Sequence, residues 1–191
     1  TGSKADIFRT NAISNRVHQK YALSHLFPII CRANHSCNAN AHWKWNDAAS
    51  KEQLIAAFDI ERGQEITANY LGMKTMLTHH IRQQLLKRNW GFQCHCELCG
   101  KDEDDRKTMD LQISNRECLL MKASKCIDGE KRYAIILELM QITKQFFGSH
   151  PLHLFEHHLE ALKCCIGSES QKLRQQIEYH RAECSQCFAK F

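Results

Sequence analysis

The chain lacks most of the features that mark fibrous, secreted or membrane proteins. Its 191 residues hold only two prolines and eight glycines and no low-complexity tract, which excludes a collagen-like or linker-like chain. No apolar run approaches the ~20 residues that cross a bilayer as a helix, so no membrane association is expected. Charge of one sign is not concentrated either. The 26 Lys and Arg against 21 Asp and Glu give a net charge of +5, but the signs are interleaved, the pattern of a mixed solvated surface and not of a nucleic-acid groove. Disulfide spacing is absent too: the eleven cysteines are odd in number and irregularly placed. Six of them, Cys118, Cys126, Cys164, Cys165, Cys184 and Cys187, lie in segments of helical pattern, where reduced cysteine packs as a small hydrophobe. The chain therefore reads as an intracellular protein of a reducing compartment whose clustered cysteines bind metal. No initiator methionine precedes Thr1, and a fragment of a longer protein is expected.

What is present divides into two compositions. Residues 7–13 are expected to form a short strand leading to a turn at Ser14–Asn15, and the apolar run Leu26–Ile30, broken by Pro28, to lie at a sheet edge or in a loop. Ala41–Trp45 and Gln53–Phe58, separated by the turn residues Asn46–Ser50, predict a hairpin. A polar turn around Gly63 delivers Glu65–Tyr70 as a short strand. Thr75 to about Arg88 takes helical spacing, with Leu77, Ile81 and Leu85 on one face and Gly91 as its stop. Residues 100–107 read as a charged linker. Beyond it four helices are expected, about 114–127, 130–147, 150–166 and 169–190, two of them opened by the capping-box patterns Ser114-x-x-Glu117 and Ser168-x-x-Gln171. Tyr133, Ile136, Leu137, Met140 and Phe147 form one expected buried stripe, and Leu173, Ile177, Cys184 and Phe188 another.

The chemistry-bearing residues cluster before the linker. Cys94-His95-Cys96-Glu97-Leu98-Cys99 offers three thiolates in six residues, the C-x-C-x-x-C loop that wraps three corners of a tetrahedral zinc site. The fourth donor must come from elsewhere. His95 qualifies by type but stands between two ligands; Cys37, the one remaining cysteine in a polar loop, is the better donor. Cys184-x-x-Cys187 with Cys164-Cys165 is read as core packing rather than a second metal site, and His153 and His157 as surface or partly buried histidines.

Taken together, Arg32-Ala33-Asn34-His35-Ser36-Cys37-Asn38-Ala39-Asn40, Gly63-Gln64-Glu65-Ile66-Thr67-Ala68-Asn69-Tyr70 and Trp90-Gly91-Phe92-Gln93-Cys94-His95-Cys96-Glu97-Leu98-Cys99 resemble, in order and spacing, the motif series of SET-domain protein-lysine methyltransferases. The SET and MYND proteins and their fungal-type relatives are the nearest kin in pattern. The resemblance covers residues 7 to about 100. It implies that Asn34 and His35 hold S-adenosylmethionine, that Asn11 contacts it and Phe92 covers it, that Tyr70 is the catalytic tyrosine, and that Cys37, Cys94, Cys96 and Cys99 bind structural zinc. It also implies a pseudoknot in which the segment ending at Tyr70 threads the Asn-His-Ser-Cys segment.

The sequence departs from the family at Ala39, where the pattern has proline, and in having no G-x-G strand-turn among its glycines. The expected architecture is α+β: residues 1–88 the C-terminal part of a SET β-fold, 89–104 the post-SET zinc segment and linker, and 105–191 an all-α domain. The resemblance implies a lysine methyltransferase of the nucleus or cytoplasm, acting on a protein substrate such as a histone tail, with the helical tail open to a protein partner. The competing expectation is a catalytically inactive, zinc-stabilised interaction module.

Overall fold

The computed structural model describes residues 3–18, 21–72, 76–148 and 151–189, with the side chains of 14–18, 21–23 and 152 excepted. The chain forms two compact units, Thr1–Thr75 with His80–Cys99, and Met76–His79 with Gly100–Phe191. The class is α+β, a strand-rich first unit followed by helices. Among the described residues no helix is long and apolar enough to cross a membrane.

The first unit opens with helix α1, Lys4–Asn11, where a strand was expected. Ser3 and Asp6 decide the difference. The Asp6 N–H donates to Ser3 Oγ at 3.2 Å and the Ser3 N–H to Asp6 Oδ2 at 3.1 Å, a reciprocal cap that satisfies free amides at the helix start. Strand β1, Ile13–His18, then runs through the expected turn at Ser14–Asn15 and pairs antiparallel with β2, Tyr21–His25. Residues 26–33 contain no strand, as Pro28 requires, only a single 3-10 turn at Ile30–Arg32.

A second sheet carries the site. Its strands are β3 (Asn34–His35), β4 (Ala41–Asn46), β5 (Lys51–Ala56) and β6 (Thr67–Ala68), in the order β3-β6-β4-β5. The β4–β5 hairpin pairs in continuous register from Ala41↔Ala56 to Asn46↔Lys51. Strand β6 lies parallel to both β3 and β4, so residues 36–40 link strands on either side of it. Two-residue strands make few ladder bonds, and side chains complete the join. Asn40 Oδ1 accepts the Thr67 N–H at 2.9 Å, its Nδ2 donates to the Glu65 carbonyl at 2.9 Å, and the Asn40 N–H reaches Thr67 Oγ1 at 3.3 Å.

Helix α2 spans His79–Trp90; the expected start at Thr75 falls outside the described residues. Its buried face is not the expected stripe. Ile81 is exposed, whereas Arg82 and Leu86 are fully buried. Hydrophobic spacing misreads this helix because the surface it packs on is polar: Arg82 Nη2 stands 3.8 Å from Cys99 Sγ, and the Gln83 amide makes paired bonds to the Cys94 backbone, Nε2 to O at 2.8 Å and N to Oε1 at 2.9 Å.

In the second unit the charged stretch read as a linker is instead the start of a long helix, α3, Glu103–Lys125. Asp102 caps it, accepting the Asp105 N–H at 2.8 Å, and the acids that follow favour the positive helix end. Ser114 therefore sits inside the helix and caps nothing, its hydroxyl donating to the Asp110 carbonyl at 2.9 Å. Helices α4 (Gly129–Phe147) and α5 (Pro151–Ile166) follow near their expected bounds. The expected last helix is broken into α6, Gln171–Arg174, and α7, Ile177–Ala189. Ser168 caps neither; it accepts the Ser170 N–H across a turn, and Ser170, at the head of α6, makes no side-chain cap bond.

Ile136, Met140, Ala161 and Cys164 form the heart of this unit, with Tyr133 against it. Leu137 and Phe188 of the expected stripes are exposed, and Leu139 and Cys187 are buried in their stead. Cys118 is exposed as well and packs no core. Among the polar residues inside are His157, His158 and His180. Thr143 donates its only hydroxyl proton to the Leu139 carbonyl, so His157 Nε2, 3.1 Å from Thr143 Oγ1, is the donor of that pair. His158 and His180 face each other through Nδ1 at 3.0 Å, and His180 Nε2 meets the Tyr133 hydroxyl at 2.9 Å.

Burial, reinforced by Arg116 at His157 and by His180, Lys144 and His157 at His158, holds both imidazoles near pKa about 4. A base whose folded value lies below its unfolded ~6.5 contributes stability that is complete above that pH and lost as pH falls through the window. The urea midpoint should therefore be level above pH ~6.5 and decline from there toward about 4. His157→Gln, which keeps an N–H for Thr143, should flatten part of that decline.

Candidate active site and cysteine cluster

The cysteine loop is shaped from both ends. Gly91 takes φ 80°, a conformation L side chains rarely adopt, and its N–H closes α2 on the Lys87 carbonyl at 3.0 Å, turning the chain into residues 92–99. The Gln83 amide holds Cys94, and the Cys99 N–H turns back on the Cys96 carbonyl at 2.9 Å. The sulfur atoms of Cys94, Cys96 and Cys99 gather with that of Cys37, all within 4.8 Å of one another. Cys37 and Cys99 approach to 3.5 Å. His95 is exposed and stands outside the cluster.

Four cysteine donors at Zn–S bonds of ~2.3 Å would have S–S edges of ~3.8 Å, inside the range found, so the residues fit a tetrahedral metal ion. Without a cation the sulfur atoms depend on each other. Cys37 is pushed up chiefly as partner of Cys94, Cys94 is pulled down chiefly by Cys37, and Cys96 is lowered to about 5, Cys37 again the largest cause. Four thiol donors packed this closely in a largely buried place are the donor set a tetrahedral metal ion takes. Among the described residues no second such group occurs.

Beside the cluster, at the end of β6, Tyr70 is enclosed by rings. Trp43 lies nearly parallel to it, centroids 5.8 Å apart, Trp90 and His35 are tilted against it at 5.3 Å, and Phe92 meets it edge-on at 6.4 Å. The Tyr70 hydroxyl donates to the Ala33 carbonyl at 2.8 Å. Burial, with the nearby Cys31 and Glu65, pushes its pKa up, so it is a neutral phenol at physiological pH. A cavity of about 270 Å³ opens here, with Asn11, Cys31, Trp43, Tyr70 and Trp90 in its wall.

The other expected site residues are placed differently from one another. Asn11 lines the cavity with its amide turned back on α1, Nδ2 donating to the Ile7 carbonyl at 2.9 Å. Asn34 is exposed, outside the cavity wall, and donates to Glu65 Oε1 at 2.7 Å. The ring nitrogens of His35 are engaged with protein, Nδ1 with the Tyr70 N–H at 3.1 Å and Nε2 with Cys37 Sγ at 3.3 Å, which leaves its backbone for any cofactor contact. Phe92 packs on both His35 and Tyr70.

Trp43 and Cys31 as cavity residues, Asn40 as the clasp on β6, and Arg82 and Gln83 beside the cysteine loop were not singled out from the sequence. Strand alternation around Trp43 and the closing Asn of the Arg32–Asn40 series were signals for two of them. Nothing in the residue pattern distinguished Arg82.

Residues 7–71 match the family described as SET domain. The chain is 34% identical over 88 residues to the histone-lysine N-methyltransferase set5 of Schizosaccharomyces pombe, covering 46% of this chain and 27% of that protein. It is 32% identical over 131 residues to the histone-lysine N-methyltransferase SET5 of Meyerozyma guilliermondii, covering 68% of this chain and 24% of that protein. It is 37% identical over 90 residues to the histone-lysine N-methyltransferase SMYD3 of Homo sapiens, covering 46% and 20%. The chain thus spans about a quarter of the length of the first two relatives and a fifth of the third.

Asn40→Ala removes the side-chain bonds to the Glu65 carbonyl and to the Thr67 amide and hydroxyl, and strands the Thr67 amide. A loss of about 1–2 kcal/mol in denaturant stability is expected, with faster amide exchange at Thr67 and Tyr70.

Proposed function

Because residues 7–71 are SET-domain sequence of the type found in SET5 and SMYD proteins, we propose that this chain is part of an S-adenosylmethionine-dependent protein-lysine methyltransferase. The observation that carries the reading is Tyr70: a neutral, hydrogen-bonded phenol in an aromatic-walled cavity, tied through His35 to a four-cysteine cluster. In this reading residues 1–88 are the C-terminal part of the SET fold, 89–101 the zinc segment, and the helices that begin with α3 at Glu103 a domain available to a protein partner. The protein would work in the nucleus or cytoplasm.

The aromatic faces of Trp43, Tyr70 and Trp90 suit positively charged ligands, since a sulfonium or an ammonium gains from the ring quadrupole. When bound, S-adenosylmethionine supplies an electrophilic methyl group. Transfer would be an in-line displacement, the lysine nitrogen lone pair forming N–C as C–S breaks, so the part of this chain would be to align the nitrogen and keep it uncharged. A low-polarity wall favours the neutral amine, whose proton leaves to solvent before transfer. Tyr70 Oη donates a hydrogen bond to the Ala33 carbonyl, so its lone pairs would be left to orient the methyl group and the incoming nitrogen. Asn34, Asn11 and the backbone of His35 would hold the cofactor, with Phe92 covering it. Cys37, Cys94, Cys96 and Cys99 would hold zinc with no open coordination position, a structural site that fixes the Phe92-bearing loop.

The test is transfer of labelled methyl groups to lysines of histones or extract proteins, read by mass spectrometry, using these 191 residues and any longer natural product that contains them. Tyr70→Phe should lower transfer at least ~100-fold while leaving zinc content unchanged. If neither form binds S-adenosylmethionine by calorimetry or methylates protein, the enzyme reading fails and the zinc-stabilised interaction module takes its place. Independently, the purified chain should carry one zinc per molecule. Cys94→Ser should lower that occupancy and the thermal midpoint together.

A further inference from the structure

We propose that His35 is a positioning residue that couples metal occupancy of the cysteine cluster to the placement of Tyr70. The importance of Tyr70 rests on the methyltransferase reading; the coupling itself does not.

The argument follows the protons. Tyr70 presents a backbone N–H to His35 Nδ1 at 3.1 Å, and an amide nitrogen can only donate, so Nδ1 carries no proton. The ring is then neutral with its proton on Nε2, and that atom lies 3.3 Å from Cys37 Sγ. At this distance the Nε2–H can donate to the sulfur, most strongly once Cys37 is a thiolate, the form cysteine takes as a metal ligand. Ring contacts restrict any swing of the imidazole, with Tyr70 at 5.3 Å and Phe92 at 6.0 Å.

One imidazole thus joins the 36–40 link to the end of β6, across 35 residues of sequence. Negative charge held on Cys37 by a bound cation strengthens the Nε2–H···S bond. An imidazole that donates more strongly at one nitrogen accepts more strongly at the other. The Tyr70 amide is therefore held most tightly when the metal is bound, and the peptide that carries the Tyr70 ring is fixed with it. Loss of the metal would loosen Tyr70 before it loosens the hairpin.

Two substitutions divide the roles of the two nitrogens. In His35→Gln the amide nitrogen stands near the Nε2 position and keeps a donor for Cys37; in His35→Asn the amide oxygen stands near Nδ1 and keeps an acceptor for Tyr70. Zinc affinity, measured by competition with a chromophoric chelator, should fall about 10- to 100-fold in His35→Asn and stay near the parent value in His35→Gln. Protection of the Tyr70 amide from hydrogen exchange should show the opposite order. Equal losses in both variants would mean that His35 only fills space, and the proposal would be wrong. Should either variant not fold, the parent decides alone through its imidazole nitrogen resonances. A proton on Nε2 whose signal shifts when zinc is chelated supports the coupling; a proton on Nδ1, or no shift, overturns it. None of these readouts requires methyl transfer, so an inactive protein with the divided response would sink the enzymatic reading and leave the coupling standing.

Discussion

Four cysteine sulfur atoms from two distant segments gather within 4.8 Å of one another, and the rest of the first unit is arranged about that contact. The strands alone do not fix their own register. β3 and β6 share two residue pairs and β6 and β4 share one, too few ladder bonds to resist slippage. Cys37 and Cys99 meet at 3.5 Å across 62 residues of chain, a contact that a metal ion held by both would turn into a closed loop, removing freedom the strands would otherwise have to restrain. The features nearby serve this contact. Gly91 turns the chain out of α2, Gln83 grips Cys94, Arg82 is buried beside Cys99, and His35 reaches back from Cys37 to Tyr70.

A second theme is that burial follows the partner and not the side-chain class. α2 buries an arginine because what it packs on is a thiol-rich loop. The helical unit buries three histidines because each finds a partner inside: Thr143 for His157, and the His158–His180–Tyr133 chain for the others. Such groups cost several kcal/mol if left unpaired, so their partners are part of the packing as much as any leucine is.

Much of the architecture was legible along the chain. The hairpin was announced by two alternating apolar runs around Asn46–Ser50, the stop of α2 by Gly91, and the break after Leu26–Ile30 by Pro28. The errors share a cause, which is that cap patterns compete. Ser3 with Asp6 made a helix of a segment whose apolar content read as strand, and Asp102 capped α3 twelve residues before the position suggested by Ser114-x-x-Glu117. A serine can cap a helix or bond back to the carbonyl four residues earlier, and only the surrounding chain decides which.

For the site, the sequence by itself determined the donor types and the local spacing: a C-x-C-x-x-C loop can offer three sulfur atoms to one ion wherever it is found. It also placed an Asn-His-Ser-Cys stretch and a strand-ending tyrosine in an order that matches SET-domain sequence. The tertiary structure brought the Cys37 thiol, named from the sequence as the better fourth donor, up to the other three, and it decided that the His35 ring faces Cys37 and the Tyr70 amide and that Trp43 and Trp90 wall the cavity beside Tyr70. The physical reason is the insertion of β6 between β3 and β4. Spacing along a chain specifies contacts within a turn or a loop. Contacts between segments tens of residues apart exist only once that strand is in place.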